Sequence, residues 1–198
     1  MKKTLIALAL AAAAVSTSAS ASEISYGYVQ AEYNLFGELD FANEDVDGFG
    51  LRGSVELGEN WYLTGAYIDT GATVFGFGFD VTQTQLGAGW HTAIGDKADY
   101  FVEALYSNIE LEQLGSSADE DGYIVNTGVR WLFTDKFEGI AGVGYEDFGS
   151  GVDGFTAKLG AQFKFTDAFG VAGEYKYSDV FSDGFEKGSY LVGVRYSF

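Results

Sequence analysis

The sequence predicts an all-β fold, a transmembrane up-and-down antiparallel β-barrel of ten strands. Three observations support it: an export leader, apolar residues that recur with a period of two, and turn signals that divide the chain into ten segments. The chain has 17 Phe, 13 Tyr, 3 Trp and 28 Gly but no proline or cysteine. No stretch after the leader has the roughly 20 apolar residues that a membrane helix needs. Any membrane crossing is therefore predicted to use strands.

The leader reads MKKTLIALALAAAAVSTSASA, with two lysines, a short apolar run and small residues before an Ala-x-Ala site. This pattern is typical of a secretory signal peptide. We expect residues 1–21 to be the signal peptide and residues 22–198 to form the barrel. Without Lys2 and Lys3, 9 of the 11 basic residues remain against 29 acidic ones, a formal charge of −20. Because such a chain repels nucleic acid, no nucleic-acid partner is expected.

The period of two is clearest in GYIVNTGVRWLF, GFTAKLGAQFKF and SYLVGVRYSF. In each, alternate residues are mostly aromatic or aliphatic and the others are mixed, which indicates strands with two unlike faces. Eight strands are the alternative, but the turn signals favour ten. The predicted segments are about 24–35, 48–57, 61–69, 81–91, 99–108, 122–133, 137–147, 154–165, 169–178 and 188–198.

Short and long connections alternate along the chain. GEN, TDK, TDA and the slightly longer TAIGDKAD are tight, whereas FGELDFANEDVD, TGATVFGFGFD, IELEQLGSSADED, GSGVD and DVFSDGFEK are longer, acidic and glycine-rich. In an outer membrane the short turns belong in the periplasm and the long loops outside. The expected location is therefore the outer membrane of a Gram-negative bacterium, with both chain ends in the periplasm.

A four-residue pattern of glycine, small apolar, polar and aromatic recurs as GAGW, GVRW, GAQF and GVRY at 87–90, 128–131, 160–163 and 193–196. Each copy ends a strand that returns to a short turn. Because Trp and Tyr favour membrane interfaces, the aromatics are predicted to face lipid as a girdle. Its members are Trp61, Trp90, Trp131, Phe133, Phe163, Phe165, Tyr196 and Phe198. The mid-strand glycines are expected to relieve crowding on the inner face.

Charged residues alternate with these aromatics and are predicted to line the lumen, since an Arg or Lys facing lipid at the midplane costs roughly 2–4 kcal/mol. The basic members are Arg52, Arg130, Lys158, Lys164, Lys176 and Arg195, and the acidic members are Glu32, Glu56, Glu103, Glu138, Glu146 and Glu174. A paired network that fills a narrow lumen is favoured over a charged ion path, because side chains fill small barrels. A thin water path is the alternative.

Acidic residues dominate the long loops, against Lys187 alone. They are Glu38, Asp40, Glu44, Asp45, Asp47, Asp69, Asp80, Glu110, Glu112, Asp119, Glu120, Asp121, Asp147, Asp153, Asp179, Asp183 and Glu186. Solvation explains such a surface, and loosely bound Ca²⁺ or Mg²⁺ bridging the carboxylates is a sharper hypothesis. NEDVDG and SADEDG resemble fragments of calcium loops but lack the closing glutamate. No other cofactor is expected.

His91 is the only histidine, beside Trp90 near a short turn. No nucleophile and base arrangement, G-x-S-x-G, H-E-x-x-H or phosphate loop accompanies it. We therefore expect a protein that is not an enzyme. An outer-membrane lipid-processing enzyme is a less favoured alternative, for which His91 would be essential.

The final strand carries a further pattern. Tyr190, Val192, Val194, Tyr196 and Phe198 resemble the C-terminal signal of outer-membrane barrels, which implies recognition by the barrel-assembly machinery. The OmpA and OmpX type barrels are similar in pattern but have eight strands. More narrowly, DGFGLRGS at 47–54 and the Asp-Gly-aromatic triplets at Asp121, Asp153 and Asp183 resemble small outer-membrane proteins first described as activators of a plant immune receptor. That resemblance implies a surface barrel without a settled activity.

Together these patterns predict a monomeric outer-membrane protein with a structural or adhesion-type role at the cell surface. Its expected partners are outer-membrane lipid, including lipopolysaccharide, and the assembly machinery. A narrow, porin-like passive channel is the alternative function. A soluble calyx, with apolar residues inside and charges outside, is the alternative fold.

Overall fold

The structure is a computed structural model that describes residues 24–39, 44–74, 77–113, 116–149, 151–180 and 188–198. The predicted signal peptide lies outside these ranges, as do Asp40, Asp183, Glu186 and Lys187. For residues 36–39, 44–45, 72–74 and 77 the structure describes the backbone but not the side chains. These residues include Glu38, Glu44 and Asp45. Within the described residues no helix is long and apolar enough to cross a membrane.

Ten antiparallel strands form one closed barrel, which confirms the predicted fold class and strand number. Each strand pairs with its sequence neighbours, and β1 pairs with β10 to close the sheet. The strands are β1 Tyr28–Leu39, β2 Glu44–Leu57, β3 Trp61–Val74, β4 Phe77–Gly95, β5 Ala98–Gln113, β6 Ser116–Thr134, β7 Phe137–Asp147, β8 Asp153–Lys164, β9 Phe169–Ser178 and β10 Gly188–Ser197.

The barrel has two unlike ends. At the turn end, short connections at 58–60, 96–97, 135–136 and 165–168 join the strands, and Gly58 has a φ of 77°. The first described residues and Phe198 also lie at this end, where the Phe198 N–H donates to the carbonyl of Gly27. At the loop end lie the acidic connections.

Three predicted loops are largely strand. The first, FGELDFANEDVD, continues β1 to Leu39 and begins β2 at Glu44. TGATVFGFGFD continues β3 to Val74 and begins β4 at Phe77, and IELEQLGSSADED continues β5 to Gln113 and begins β6 at Ser116. Where both faces of a sheet meet water, the apolar alternation stops although backbone pairing continues. The predicted strand boundaries rest on the apolar alternation, so the predicted strands are shorter than the observed ones.

The first strand starts later than predicted. Residues 24–26 precede β1 and turn into the barrel, where Ile24 and Tyr26 are 1% and 3% exposed. The sequence predicts strand from about residue 24 because Ile24, Tyr26 and Tyr28 alternate. Here the alternation reflects packing inside the turn end.

The barrel wall is apolar outside and polar inside, the reverse of a soluble calyx. Large exposed side chains include Leu86, Leu159 and Val192, whereas Glu32, Arg130 and Gln162 are buried. Strand alternation separates the two sets. This arrangement is characteristic of a membrane barrel.

The recurrent mid-strand glycines lie where strands approach closely on the inner face. A Cβ placed at Gly87, Gly128, Gly160 or Gly193 would come within 2.1, 2.3, 3.0 or 2.8 Å of a backbone carbonyl oxygen of the neighbouring strand. A backbone oxygen cannot rotate away as a side chain can. Close packing of neighbouring strands therefore explains why the first residue of the four-residue pattern is glycine.

Candidate functional site

All twelve charged residues predicted to line the lumen occupy inward-facing strand positions, which alternate with the exposed apolar ones. The arrangement is not a uniform lattice. Some charges form close pairs, Arg195 is held by side-chain amides and Glu56 accepts a backbone N–H, while neither Lys164 nor Glu174 forms an ion pair within 4 Å with a described residue. The interior is therefore a set of distinct layers along the barrel axis.

The tightest buried pair lies near the turn end. The Arg130 Nε donates to Glu138 Oε1 at 2.6 Å, and the two side chains are 7% and 6% exposed. The Arg130 guanidinium also lies 4.3 Å from the ring centroid of Tyr26. Because a charge buried without a partner is costly, the pair and the ring hold one another in place.

Three further pairs lie along the lumen and differ in closeness. Lys176 Nζ lies 2.5 Å from Glu146 Oε1, and Arg52 Nε lies 3.3 Å from Glu32 Oε2. Lys158 Nζ is 3.9 Å from Glu103 Oε2. Glu103 has other donors, since Tyr62 Oη donates to its Oε1 at 3.0 Å. Opposite charges thus pair at several heights of the lumen, between the neighbouring strands β1 and β2 for Arg52–Glu32 and across the lumen from β8 to β5 for Lys158–Glu103.

Arg195 is held by amides instead of carboxylates. Its Nε donates to Gln30 Oε1 and its Nη1 to Gln162 Oε1, both at 2.8 Å. Its guanidinium lies 3.9 Å from the ring centroid of Tyr28. Glutamine oxygens satisfy the donors without neutralising the charge, so Arg195 contributes positive potential to the lumen.

An N-terminal plug, residues 24–26, occupies the turn end of the lumen. Ile24 and Tyr26 form a buried apolar cluster with Tyr62, Phe101 and Leu132. The Tyr26 N–H donates to Glu56 Oε1 at 2.6 Å. Glu56, one of the predicted lumen acids, therefore binds the backbone of the plug. The plug therefore closes the turn end with both apolar contacts and a charge-assisted hydrogen bond.

His91 lies inside this closure. Its ring is stacked on Tyr26 with centroids 3.9 Å apart, and Nδ1 lies 3.1 Å from Asp99 Oδ2. The residue is 2% exposed, and its backbone pairs with Asn60. Tyr26 is thus placed between the imidazole of His91 and the guanidinium of Arg130.

The sequence pattern places Gln162 on the inward face, but Asp99, Tyr26 and Gln30 are not among the predicted lumen residues. Asp99 shares the inward set with Phe101 and Glu103, so strict alternation along β5 could have identified it. It is both the last residue of the predicted connection TAIGDKAD and the first residue of the predicted segment 99–108. For Tyr26 no local signal distinguishes a plug from the start of a strand.

Two adjacent cavities lie in the lumen, of about 110 Å³ toward the turn end and about 80 Å³ toward the loop end. Arg52, Lys158 and Glu174 line both. Since one water needs at least about 10–15 Å³ of such volume, each cavity is large enough for several waters or a small ion. The charged groups in their walls favour water over an apolar ligand.

The predicted girdle residues lie on the outer face at the turn end. Six of them, Trp61, Trp131, Phe133, Phe163, Phe165 and Tyr196, are between 43% and 58% exposed, while Trp90 and Phe198 are half-buried. Trp90 lies opposite Trp61 in the β3–β4 pairing. Trp131 and Phe133 stack with centroids 5.9 Å apart. The aromatics form a continuous band across neighbouring strands.

The acidic residues of the loop end are spread over several strands. Among the described residues no group of three or more His, Asp or Glu side chains could hold a metal ion. Glu110 lies opposite Asp119 and Asp80 opposite Glu112, so like charges face each other across strands. The loop end is a region of strong negative potential.

Three solved structures share this fold. The NanC porin superposes with a TM-score of 0.54 at 11% identity, over 87% of this chain and 100% of that one. The KdgM porin in complex with disordered oligogalacturonate gives 0.53 at 12% identity, over 86% and 99%. The translocator domain of the autotransporter NalP from Neisseria meningitidis gives 0.52 at 15% identity, over 100% and 95%. The shared feature is the outer-membrane β-barrel fold.

No protein-family model matches the chain, and no curated protein matches it. The narrower resemblance to the plant-immunity activators therefore stays a prediction.

Proposed function

We propose that this chain is an integral outer-membrane barrel with its turn end in the periplasm. Its role is structural or adhesion-type at the cell surface, and its lumen does not conduct ions at rest. The apolar wall, the aromatic band at the turn end and the inward charges support the membrane location. The closed turn end, built from the N-terminal plug and the Arg130–Glu138 pair, carries the proposal of a silent lumen.

A narrow passive channel is the second candidate, favoured by the two adjacent cavities and by the porins that share the fold. Oligogalacturonate, which appears with the KdgM porin, is not transferred as a substrate. Cavities of about 110 and 80 Å³ do not admit an oligosaccharide. The channel candidate is thus limited to water and small ions.

The barrel surface also supports proposals about the oligomeric state, the assembly signal and bound cations. Because a closed barrel leaves no free sheet edge in lipid, the chain is proposed to be a monomer. Tyr190, Val192, Val194, Tyr196 and Phe198 are its proposed signal to the assembly machinery. Loosely bound Ca²⁺ or Mg²⁺ is proposed to bridge single loop-end carboxylates and lipid phosphates. No catalytic step is proposed, since the His91 ring is enclosed between Tyr26 and Asp99.

Two measurements test the proposal separately. Detergent-extracted protein should migrate faster on a gel before heating than after, because a folded barrel resists unfolding by the detergent. In planar bilayers, the heat-modifiable protein should show no steady open steps. Absence of the gel shift would contradict the membrane barrel, whereas steady steps from folded protein would favour the channel.

Opening the plug should change the electrical behaviour. We expect Tyr26→Ala to produce transient openings that the wild type lacks, because it removes the ring between His91 and Arg130. Tyr196→Ala is the matched control, since Tyr196 lies at the same end but faces outward. Equal silence in Tyr26→Ala and the control would show that the charge layers above the plug close the lumen without it.

A further inference from the structure

The Asp-Gly-aromatic triplets form the same arrangement in three hairpins at the loop end. In each, a tyrosine on one strand faces the triplet on the next strand. We call this arrangement the aromatic–carboxylate unit. Its three copies are Tyr33 with Asp47 and Phe49 on β1–β2, Tyr106 with Asp121 and Tyr123 on β5–β6, and Tyr145 with Asp153 and Phe155 on β7–β8.

The contacts repeat as well as the register. In every unit the tyrosine is the direct cross-strand partner of the aromatic residue, and its hydroxyl donates to the aspartate. The two rings meet edge to face, with centroids 5.4, 6.3 and 5.3 Å apart and interplanar angles of 62°, 69° and 65°. The units are thus one local structure used three times.

Close packing on the inner face of the barrel explains only the glycine in the middle of each triplet. A Cβ at Gly48 would lie 2.0 Å from the carbonyl oxygen of Asp69, and one at Gly122 would lie 2.4 Å from Cδ1 of Phe148. At Gly154 it would lie 2.3 Å from Oδ1 of Asp179. The aspartate and the aromatic residue on either side of the glycine point outward, away from this packing. Inner packing therefore does not explain why these two residue types recur.

The outward aromatic rings are unusually open. Phe49, Tyr123 and Phe155 are 72%, 69% and 68% exposed, the highest values among the large hydrophobic side chains of the described residues. A ring placed only to stabilise the hairpin would be covered by its neighbours. Each of these rings instead presents a face next to a carboxylate.

The carboxylates beside the rings are hydrogen-bond acceptors for the tyrosine hydroxyls. Hydrogen bonds from the Tyr106 hydroxyl and then from the Asn108 amide hold the pKa of Asp121 below its usual value. In the described ranges every lysine and arginine on a strand faces inward, while Lys97 and Lys136 lie in the turns. A phosphate would therefore find no basic partner among the described residues of this outer face.

We propose that each aromatic–carboxylate unit binds the sugar headgroup of a glycolipid in the outer leaflet. The apolar face of the sugar lies on the open ring, and its hydroxyl groups donate to the aspartate. This combination suits a hydroxyl-rich, lipid-anchored ligand because the units lie on the outward face at the loop end, where lipid meets water. The inference rests on the orientation given under Proposed function.

The test uses the folded full-length barrel in phospholipid bicelles. Rough lipopolysaccharide, which lacks the O-antigen, is added and the bound glycolipid is counted by native mass spectrometry. The variant carries Asp47→Asn, Asp121→Asn and Asp153→Asn, whose amide oxygens still accept the tyrosine hydrogen bonds. The control carries Asp80→Asn, Glu112→Gln and Asp119→Asn, an equal change of charge outside the units.

We expect the unit variant to bind about fivefold to tenfold more weakly, as a charge-assisted hydrogen bond becomes a neutral one, and the control to bind like the wild type. Equal losses in both variants, or unchanged or tighter binding by the unit variant, would overturn the proposal. Loss of binding on chelation of divalent cations would indicate cation-bridged phosphates instead. Equal binding of the free core oligosaccharide would contradict the lipid-anchored source. In each of these cases a normal heat-dependent gel shift would still support the proposed membrane barrel, so only the glycolipid proposal would fail.

Discussion

Glu138→Ala is expected to lower the free energy of unfolding by about 3–5 kcal/mol, because it leaves the buried Arg130 guanidinium without its carboxylate. Arg130 and Glu138 meet at 2.6 Å and both are nearly inaccessible to water. The remaining ring of Tyr26 cannot replace a negative charge. Urea titration in liposomes, followed by tryptophan fluorescence and gel mobility, measures the change.

Two controls separate charge burial from general damage. Glu59→Ala, in an exposed turn, should change stability by less than about 0.5 kcal/mol. The double variant Arg130→Met with Glu138→Leu should recover much of the loss, since removing both charges removes the desolvation cost. A loss below about 1 kcal/mol in Glu138→Ala would show that water or another residue compensates Arg130.

Gly128→Ala is expected to destabilise the barrel by about 1–3 kcal/mol, since the added methyl meets atoms that cannot move aside. Its Cβ would lie 2.3 Å from the carbonyl oxygen of Ala141 and 2.8 Å from both Cα of Gly142 and Cζ of Phe101. The same urea titration applies.

Gly173→Ala is the matched control, because it is also a mid-strand glycine but its nearest neighbour, the carbonyl oxygen of Leu191, is 3.8 Å away. Here alanine should be neutral or slightly stabilising, as it restricts the unfolded chain. Similar losses at the two sites would mean that glycine flexibility, not close strand approach, selects the residue.

The strands that cross the apolar layer could be predicted because the two faces of the wall meet different surroundings. Lipid outside and charge pairs inside impose alternation on segments such as 154–165, and their bounds differ from the structure by a residue or less. Beyond the apolar layer this contrast disappears, so the extensions of β1 to β6 at the loop end carry no such signal.

The interior was harder to predict in its details than in its composition. Alternation places Arg130 and Glu138 on the same face, but only the register of β6 against β7 brings them together. The plug depends on contacts between Tyr26 and residues 30 to 104 positions away, such as Glu56 and Arg130. Tertiary contacts of this kind leave no periodic trace in the sequence.

The pairing of β1 with β10 has a consequence for biogenesis. Residues such as Tyr28 and Ser197, at opposite ends of the chain, are neighbours in the sheet. Until the last strand docks, β1 and β9 each present a row of backbone N–H and C=O groups that hydrocarbon cannot solvate. The barrel can therefore close only after β10 has joined β1, and the two open edges need another source of hydrogen bonds until then.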